Sequence, residues 1–361
     1  MDKNYCVIVK TGDAELRAMQ NLSEENLNKI LPVVELTRGR ARNIGTREEP
    51  RYAYPYDAKL KRLKEIFNGK QIALDVTSEE SLSSQEIDKL FDCSDGYVNW
   101  IDLIRSLKKE GGRLIPAILM NYDDEKFEIN LEKQILNLSA EFRELMYRGS
   151  LYNEASVDDV RLICKYLPLD CELLIVLDCG WIPPASYNDP ANACLDIIKQ
   201  LKGILTTIRY SIAVCATTFP NNVSEIGDDV SDTFDLREID LYELIKEMHP
   251  EIVYGDYGSI NPVRNDQIVM ARGWIPRIDV ALERQIYYYR DRKGSREYSD
   301  TYTSVAKRVV TDPRFPSLEG IWGICQIKNC ALGDAPSSSP SYWISVRMNT
   351  HIVQQIHRLR L

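Results

Sequence analysis

Six ionisable residues, Lys10, Glu35, Asp75, Arg148, Asp178 and Asp256, share one place in the sequence pattern: each closes a short apolar run. The runs are CVIVK (6–10), LPVVE (31–35), QIALD (71–75), FRELMYR (142–148), ELLIVLD (172–178) and EIVYGD (251–256). Two more, LIPAILMN (114–121) and SIAVCAT (211–217), finish on Asn121 and on Thr217 followed by Thr218. Carboxylates and cations delivered to one place can hold an anion, exchange protons, or bind a hard divalent ion such as Mg2+ or Mn2+. Glu35, Asp75, Asp178 and Asp256 around one opening cannot all stay ionised without cations. Lys10 and Arg148 answer two of them. The remainder invites a divalent metal or a cationic ligand, with the same residues serving as acid and base.

What would bring these ends together is the element order. Between the apolar runs lie amphipathic helical stretches at 14–29, 57–68, 81–92 with 99–110, 130–139, 156–166, 191–206 and 236–248. Strand-then-helix alternation with near-continuous apolar strands predicts a parallel sheet covered by helices. Eight such units in about 260 residues match a (β/α)8 TIM-type barrel, whose strand C-termini meet at one mouth. The rival is an open doubly wound sheet. Its Gly-rich first turn is not there, since Lys10-Thr11-Gly12-Asp13 follows the first strand.

Residues 1–260 are expected to form the barrel, and 261–361 a C-terminal extension that packs on it and supplies its last helix. In the extension, 279–292 and 299–311 are expected to be helical, GIWGICQIKN a strand, ALGDAPSSSPS a loop and THIVQQIHRLRL an amphipathic helix.

Alternation aims the charges inward. Glu35 shares its face with Val33, Asp75 with Ala73, Asp178 with Val176 and Asp256 with Tyr254. Lys10, Glu35 and Asp75, on consecutive strands, fall ~5 Å apart laterally. Polar strand ends also occur in barrels without chemistry, where Lys10 with Glu35 is only a salt bridge.

Beside this mouth lies TRGRARNIGTREEPR (37–51), with Arg38, Arg40, Arg42, Arg47 and Arg51. Arginine forks suit phosphate or carboxylate, so the loop reads as a phosphate-holding lid. A solvated loop paired with acidic surface is the plain alternative. Asn121, Thr218 and Tyr257 are further candidates for ligand contact, Tyr257 from the tight turn GDYGSINP. The aromatic segments around Trp322 and Trp343, with Arg347 and His351 following, are expected to close over the mouth, with a purely structural histidine as the plain alternative for His351. RQIYYYRDRK (284–293) interleaves bases and tyrosines as nucleic-acid binders do, but packing on the barrel is the preferred reading.

The chain of 361 residues carries a net charge of −9, which argues against bulk coating of nucleic acid. Residues 261–361 nevertheless hold 15 Lys+Arg against 9 Asp+Glu, a net of +6, leaving −15 for the rest. The scattered cysteines and three histidines make no zinc pattern. No signal peptide or membrane-spanning run is expected, and the expected location is the cytoplasm. A nucleophile elbow, P-loop, HExxH and HxE…CxxC are all missing from the sequence.

The opening YCVIVKTGDAELRAMQNLSEENLNKILPVVEL resembles the start of the "beta protein" family of phages and bacteria. Lys10, Glu15, Leu16, Ala18, Pro32 and Glu35 carry the likeness, with Trp343, Arg347 and His351 as a late Trp…His element. The resemblance implies no agreed activity; it implies association with phage–host conflict loci. Two readings of function stand. In the first, the mouth binds a phosphorylated or nucleotide-like small molecule and performs metal-dependent hydrolysis or phosphodiester cleavage. In the second, the protein is a non-catalytic sensor or scaffold that docks a protein partner in a phage-defence or counter-defence assembly.

Overall fold

The computed structural model describes residues 4–221, 230–263 and 273–361. Eight parallel strands follow one another as β1 (Tyr5–Lys10), β2 (Leu31–Leu36), β3 (Gln71–Val76), β4 (Arg113–Pro116), β5 (Glu144–Ser150), β6 (Glu172–Trp181), β7 (Tyr210–Thr217) and β8 (Val253–Asp256). Each sequence neighbour is paired except β4 with β5, which end the sheet, and β1 pairs with β8. β4 approaches β5 through a bridge between Ala117 and Met146, where Ile118 N–H donates to the Met146 carbonyl at 2.7 Å. The sheet is thus a nearly closed α/β barrel of TIM type.

The strands read as unbroken apolar runs because both faces are covered. Val7, Ile8, Val33, Val34, Leu74, Val176 and Leu177 are all buried, inward among strands or outward under helices. Fully burying such a side chain contributes about 1.5–3 kcal/mol, so the barrel core is the main stabilising element. Helices follow the strands, among them Asp13–Gln20, Asp57–Phe67, Val98–Lys109, Phe127–Ser139, Ser156–Tyr166, Asn188–Ile204 and Arg237–Met248.

The C-terminal helix Pro340–Arg358 packs along Asp13–Gln20 and lies across two apolar clusters. Met348, Ile352 and Ile356 join the barrel core. Trp343 and Val346 join a second cluster with Ile278, Val280, Tyr287, Tyr302, Val305 and Ile327. A helix covered on nearly all sides must satisfy its polar groups internally. Asn349 donates to the Ala18 carbonyl at 3.2 Å, and Gln355 to the Glu283 carbonyl at 2.9 Å.

The extension departs from the sequence reading in two places. Residues 279–292 are not helical: Arg277–Ala281 and Gln285–Arg290 form antiparallel strands, and Ser231–Asp235 pairs beside the second. The run Ile286-Tyr287-Tyr288-Tyr289 favours a pleated surface, and that preference outweighs the helical spacing. GIWGICQIKN is not a strand but the start of the helix Trp322–Ala331. Ile321, Ile324, Ile327 and Cys330 recur every third residue and are all buried, which is a helical face. The fourth barrel strand also stops at Pro116 instead of reaching Asn121.

Candidate functional site

Register settles which strand ends meet. Lys10 lies opposite Glu35, and Glu35 opposite Asp75. Into this row reaches Arg148 from β5. Its Nη1 donates to Glu35 Oε2 at 2.9 Å and to Asp75 Oδ2 at 3.2 Å. Its Nε and Nη2 donate to Asp178 Oδ2 at 2.9 and 2.7 Å. The other Asp178 oxygen accepts from the Gly180 N–H at 2.8 Å and from the Tyr257 hydroxyl. One guanidinium therefore ties together strands β2, β3, β5 and β6 inside the mouth.

The electrostatics follow from burial against that guanidinium. Burial raises the Glu35 carboxyl, but Arg148 and then Lys10 outweigh it and hold Glu35 below the ordinary glutamate value. Asp75 goes the other way: burial raises it, Arg148 opposes at the longer distance, and Glu35 adds to the rise. Burial alone would weaken the charge on Arg148; Asp178, Tyr257, Glu35 and Asp75 hold it well above the ordinary value.

Asp256 lies outside this group. It is in register with Val7, three residues before Lys10 on β1. Its carboxylate accepts from Tyr5 at 2.9 and 3.0 Å, Tyr254 at 3.0 Å and the Gly258 N–H at 2.8 Å, and pairs with His351 Nε2 at 2.8 Å. Burial pushes Asp256 up, yet His351 pulls it below the usual aspartate value. The tight turn here requires glycine: Gly258 has φ +59°, and a Cβ would stand 2.6 Å from Met348 Cε.

The divalent ion expected among Glu35, Asp75, Asp178 and Asp256 does not fit this arrangement. Arg148 fills the centre of the first three, and Asp256 is surrounded by its own donors. Among the described residues no group of three or more His, Cys, Asp or Glu is placed to hold a metal.

A large cleft of about 1440 Å³ opens at the β1 and β2 end of the mouth. Lys10 lines it; Glu35, Asp75, Arg148, Asp178 and Asp256 do not. Lys10 Nζ donates to the Pro262 carbonyl at 2.6 Å and stands 3.9 Å from Glu35. Arg38, Arg40 and Arg42 line the same cleft. Arg38 lies over the Tyr54 ring at 4.9 Å, and Arg40 pairs with Asp13 at 2.6 Å. Their loop continues into a short hairpin, Arg42–Asn43 with Tyr52–Ala53. Gly39 lets the loop press on the returning chain, because a Cβ would sit 1.8 Å from the Pro55 carbonyl oxygen.

The other expected ligand contacts divide. Trp343 and Arg347 line the cleft, Trp343 stacked on Tyr302 at 5.0 Å. Asn121 instead donates to the Phe91 carbonyl at 3.2 Å. Thr218 is tied to Glu238 and to the Asp235 carbonyl, while Tyr257 and His351 serve Asp178 and Asp256.

Several residues of the site escaped the sequence reading. Arg277, Asp279 and Arg290 line the cleft but lie in or beside the segment taken for a helix. Glu15 also lines it, and burial raises its carboxyl against its own backbone N–H, Lys10 and Lys59. Glu238, buried under β7, is pushed up to about 7 by burial, with Thr218 opposing.

The profile of the family described as Beta protein matches residues 5–357. The chain belongs to the Beta protein family. Protein beta of Enterobacteria phage P4 is 27% identical over 366 aligned residues, covering 98% of this chain and 93% of that protein. The crystal structure of the Bacillus megaterium QM B1551 spore cortex-lytic enzyme SleL is similar with a TM-score of 0.37 and 11% identity, over 96% of this chain and 74% of that one. A likeness of that size carries no argument about this member of the Beta protein family. Among the described residues no helix is long and apolar enough to cross a membrane.

Proposed function

We propose that this protein binds a phosphorylated, nucleotide-like ligand in the cleft at the barrel mouth, and that it senses this ligand without hydrolysing it. The observation that carries the reading is charge. Among the described residues nine Lys or Arg side chains line the cleft against Asp13, Glu15 and Asp279, in a chain whose net charge is −9. A concave surface of one sign with low-dielectric walls concentrates oppositely charged ligands. Lys10 supplies a point charge, and Arg38, Arg40 and Arg42 supply the forked donors that match phosphate oxygens. The partly exposed Tyr54 ring beside them offers surface for a base or sugar.

Sensing is favoured over turnover by the Arg148 group. Of the carboxylates that line the cleft, Asp13 and Asp279 are paired to arginines and only Glu15 is not among these pairs. Those at the strand ends, Glu35, Asp75, Asp178 and Asp256, are paired to Arg148 or His351 and do not line it. Recruiting one of them would leave a buried charge unpaired, at a cost of roughly 3–5 kcal/mol. In this reading residues 1–260 form the barrel, and 261–361 the extension that completes the cleft and presents the bound state to a protein partner, in the phage–host conflict setting that the family resemblance implies.

The test is thermal unfolding against a panel of nucleotides and sugar phosphates. A ligand at 100 times its Kd adds ~2.7 kcal/mol, which raises Tm by a few degrees in a chain of this size. The expected shift weakens with added salt and is lost in the Arg38→Gln/Arg40→Gln double variant. A flat response across the panel, or a shift that survives the double variant, would sink the reading.

A further inference from the structure

The wall of the cleft contributed by the C-terminal residues is built differently from the Lys10 side. Arg277 meets Asp279 twice, Nε to Oδ1 at 2.9 Å and Nη2 to Oδ2 at 3.1 Å. Arg347 Nη1 donates to the same Oδ2 at 2.7 Å. Arg347 and Asp279 are 3% and 5% exposed. Two guanidinium groups thus share one buried carboxylate, and the trio keeps one positive charge that it does not cancel.

Both arginines are held before any ligand arrives. Arg347 lies over the Phe219 ring at 4.0 Å and donates from Nε to Ser259 Oγ at 3.2 Å. Arg277 lies over the Tyr288 ring at 5.6 Å. Seating of this kind leaves less side-chain entropy to lose on binding. Burial lowers the Arg347 guanidinium, Asp279 opposes, and Arg277 lowers it further, leaving it below the ordinary arginine value. A buried surplus cation is unfavourable alone and is relieved by an anion.

Size points the same way. The cleft, about 1440 Å³, exceeds the roughly 300–1,000 Å³ that encloses a single drug-sized ligand. Arg38 and Arg40 come from the loop after β2, whereas Arg277 and Arg347 come from the extension.

We propose that Arg277 and Arg347, sharing Asp279, form a second anion subsite in this cleft, so that the ligand is a nucleotide-like bis-anion with anionic groups at two separated positions. One phosphate lies on the Arg38–Arg40 side, the second on the Arg277–Arg347 side. The inference rests on the phosphate-binding reading above and adds the number and placement of the anions.

Isothermal titration of the whole protein tests it with two matched pairs: the 5′-monophosphates and the 3′,5′-bisphosphates of adenosine and uridine. In each pair the two ligands differ by one phosphate. Charge-assisted contacts to a preformed Arg pair predict that at least one bisphosphate binds about tenfold or more tighter than its monophosphate. Arg277→Gln should bring that ratio close to one, weakening the bisphosphate far more than the monophosphate. Asp279 keeps Arg347 as its partner in that variant, so the fold is retained, and circular dichroism with an unfolding curve checks this. Arg38→Gln/Arg40→Gln should weaken both ligands of a pair together. A wild-type ratio near one, or a ratio unchanged in Arg277→Gln, overturns the second subsite while a bound monophosphate leaves the first reading standing. If neither ligand of either pair binds, both readings fall.

Discussion

Arg148 Nη1 stands 2.9 Å from Glu35 Oε2, joining β5 to β2 across the interior of the barrel. The pair is one of three in a larger clasp, since the same side chain also holds Asp75 and Asp178. Removing Arg148 would leave three carboxylates facing one another with Lys10 as the nearby cation. Arg148→Met is expected to cost about 3–5 kcal/mol of stability, the usual penalty for breaking a buried ion pair from one side. Arg148→Lys should recover part of it, because one ammonium cannot reach all three carboxylates with paired donors. Urea unfolding of the three proteins measures this, and a loss below about 1 kcal/mol in Arg148→Met would show that the clasp is not structural.

Glu238 gives the protein a pH-dependent stability near neutrality. Its folded carboxyl titrates at about 7, raised by burial, against an ordinary value of 4.5. The folded state therefore keeps a proton that the unfolded state loses, and stability falls as pH rises from about 4.5 to about 7, levelling above that. The total is about 3 kcal/mol. Glu238→Gln should flatten that slope. Unfolding curves at pH 5, 6, 7 and 8 decide it, and parallel profiles for variant and wild type would refute the assignment.

Asp256 and His351 join the last barrel strand to the C-terminal helix at 2.8 Å. In a double-mutant cycle of Asp256→Asn and His351→Gln, contacting buried groups should show a coupling of about 0.5–3 kcal/mol. Since His351 holds the Asp256 carboxyl low, stability contributed by Asp256 is present above the ordinary aspartate range and lost as pH falls through its depressed folded value. Asp256→Asn should therefore shallow the acid-side decline. Additive single effects would mean that the two groups do not act together.

Gly39 sets the position of the arginine loop. Gly39→Ala puts a methyl group against the Pro55 carbonyl, a backbone atom that cannot step aside cheaply. The expected result is a displaced Arg38–Arg42 segment, weaker phosphate binding by about tenfold or more, and a small change in global stability because the loop lies outside the core. Titration with the nucleotide that stabilises wild type most, alongside a melting curve, separates the two effects. Unchanged affinity would show that the loop tolerates the shift or does not touch the ligand.

The barrel was legible in the chain because its signal is local and repeated. Eight Val-, Ile- and Leu-rich runs, separated by amphipathic stretches, can bury both faces of a sheet only by packing it under helices. Alternation aimed Glu35, Asp75 and Asp178 inward, and pairing of consecutive strands put Lys10 beside Glu35. Where the extension went wrong, two local signals competed. Ile286 to Tyr289 carried strand propensity inside helical spacing, and the buried every-third-residue face of Ile321 to Cys330 looked like an aromatic strand.

What tertiary structure alone decided is which charges meet. The reach of Arg148 to three strands, the retreat of Asp256 beside Val7, and the sharing of Asp279 by Arg277 and Arg347 depend on register and on packing between distant segments. Residue type and spacing specify the face of an element, but pairing between Arg347 and Asp279, far apart in the chain, is set only once the helix Pro340–Arg358 lies between the barrel and the second sheet. The sequence thus determined a barrel with a charged mouth. Its folding moved the accessible charge away from the carboxylates at the strand ends and into the basic cleft beside them, because buried carboxylates are stable only when the chain's own cations reach them first.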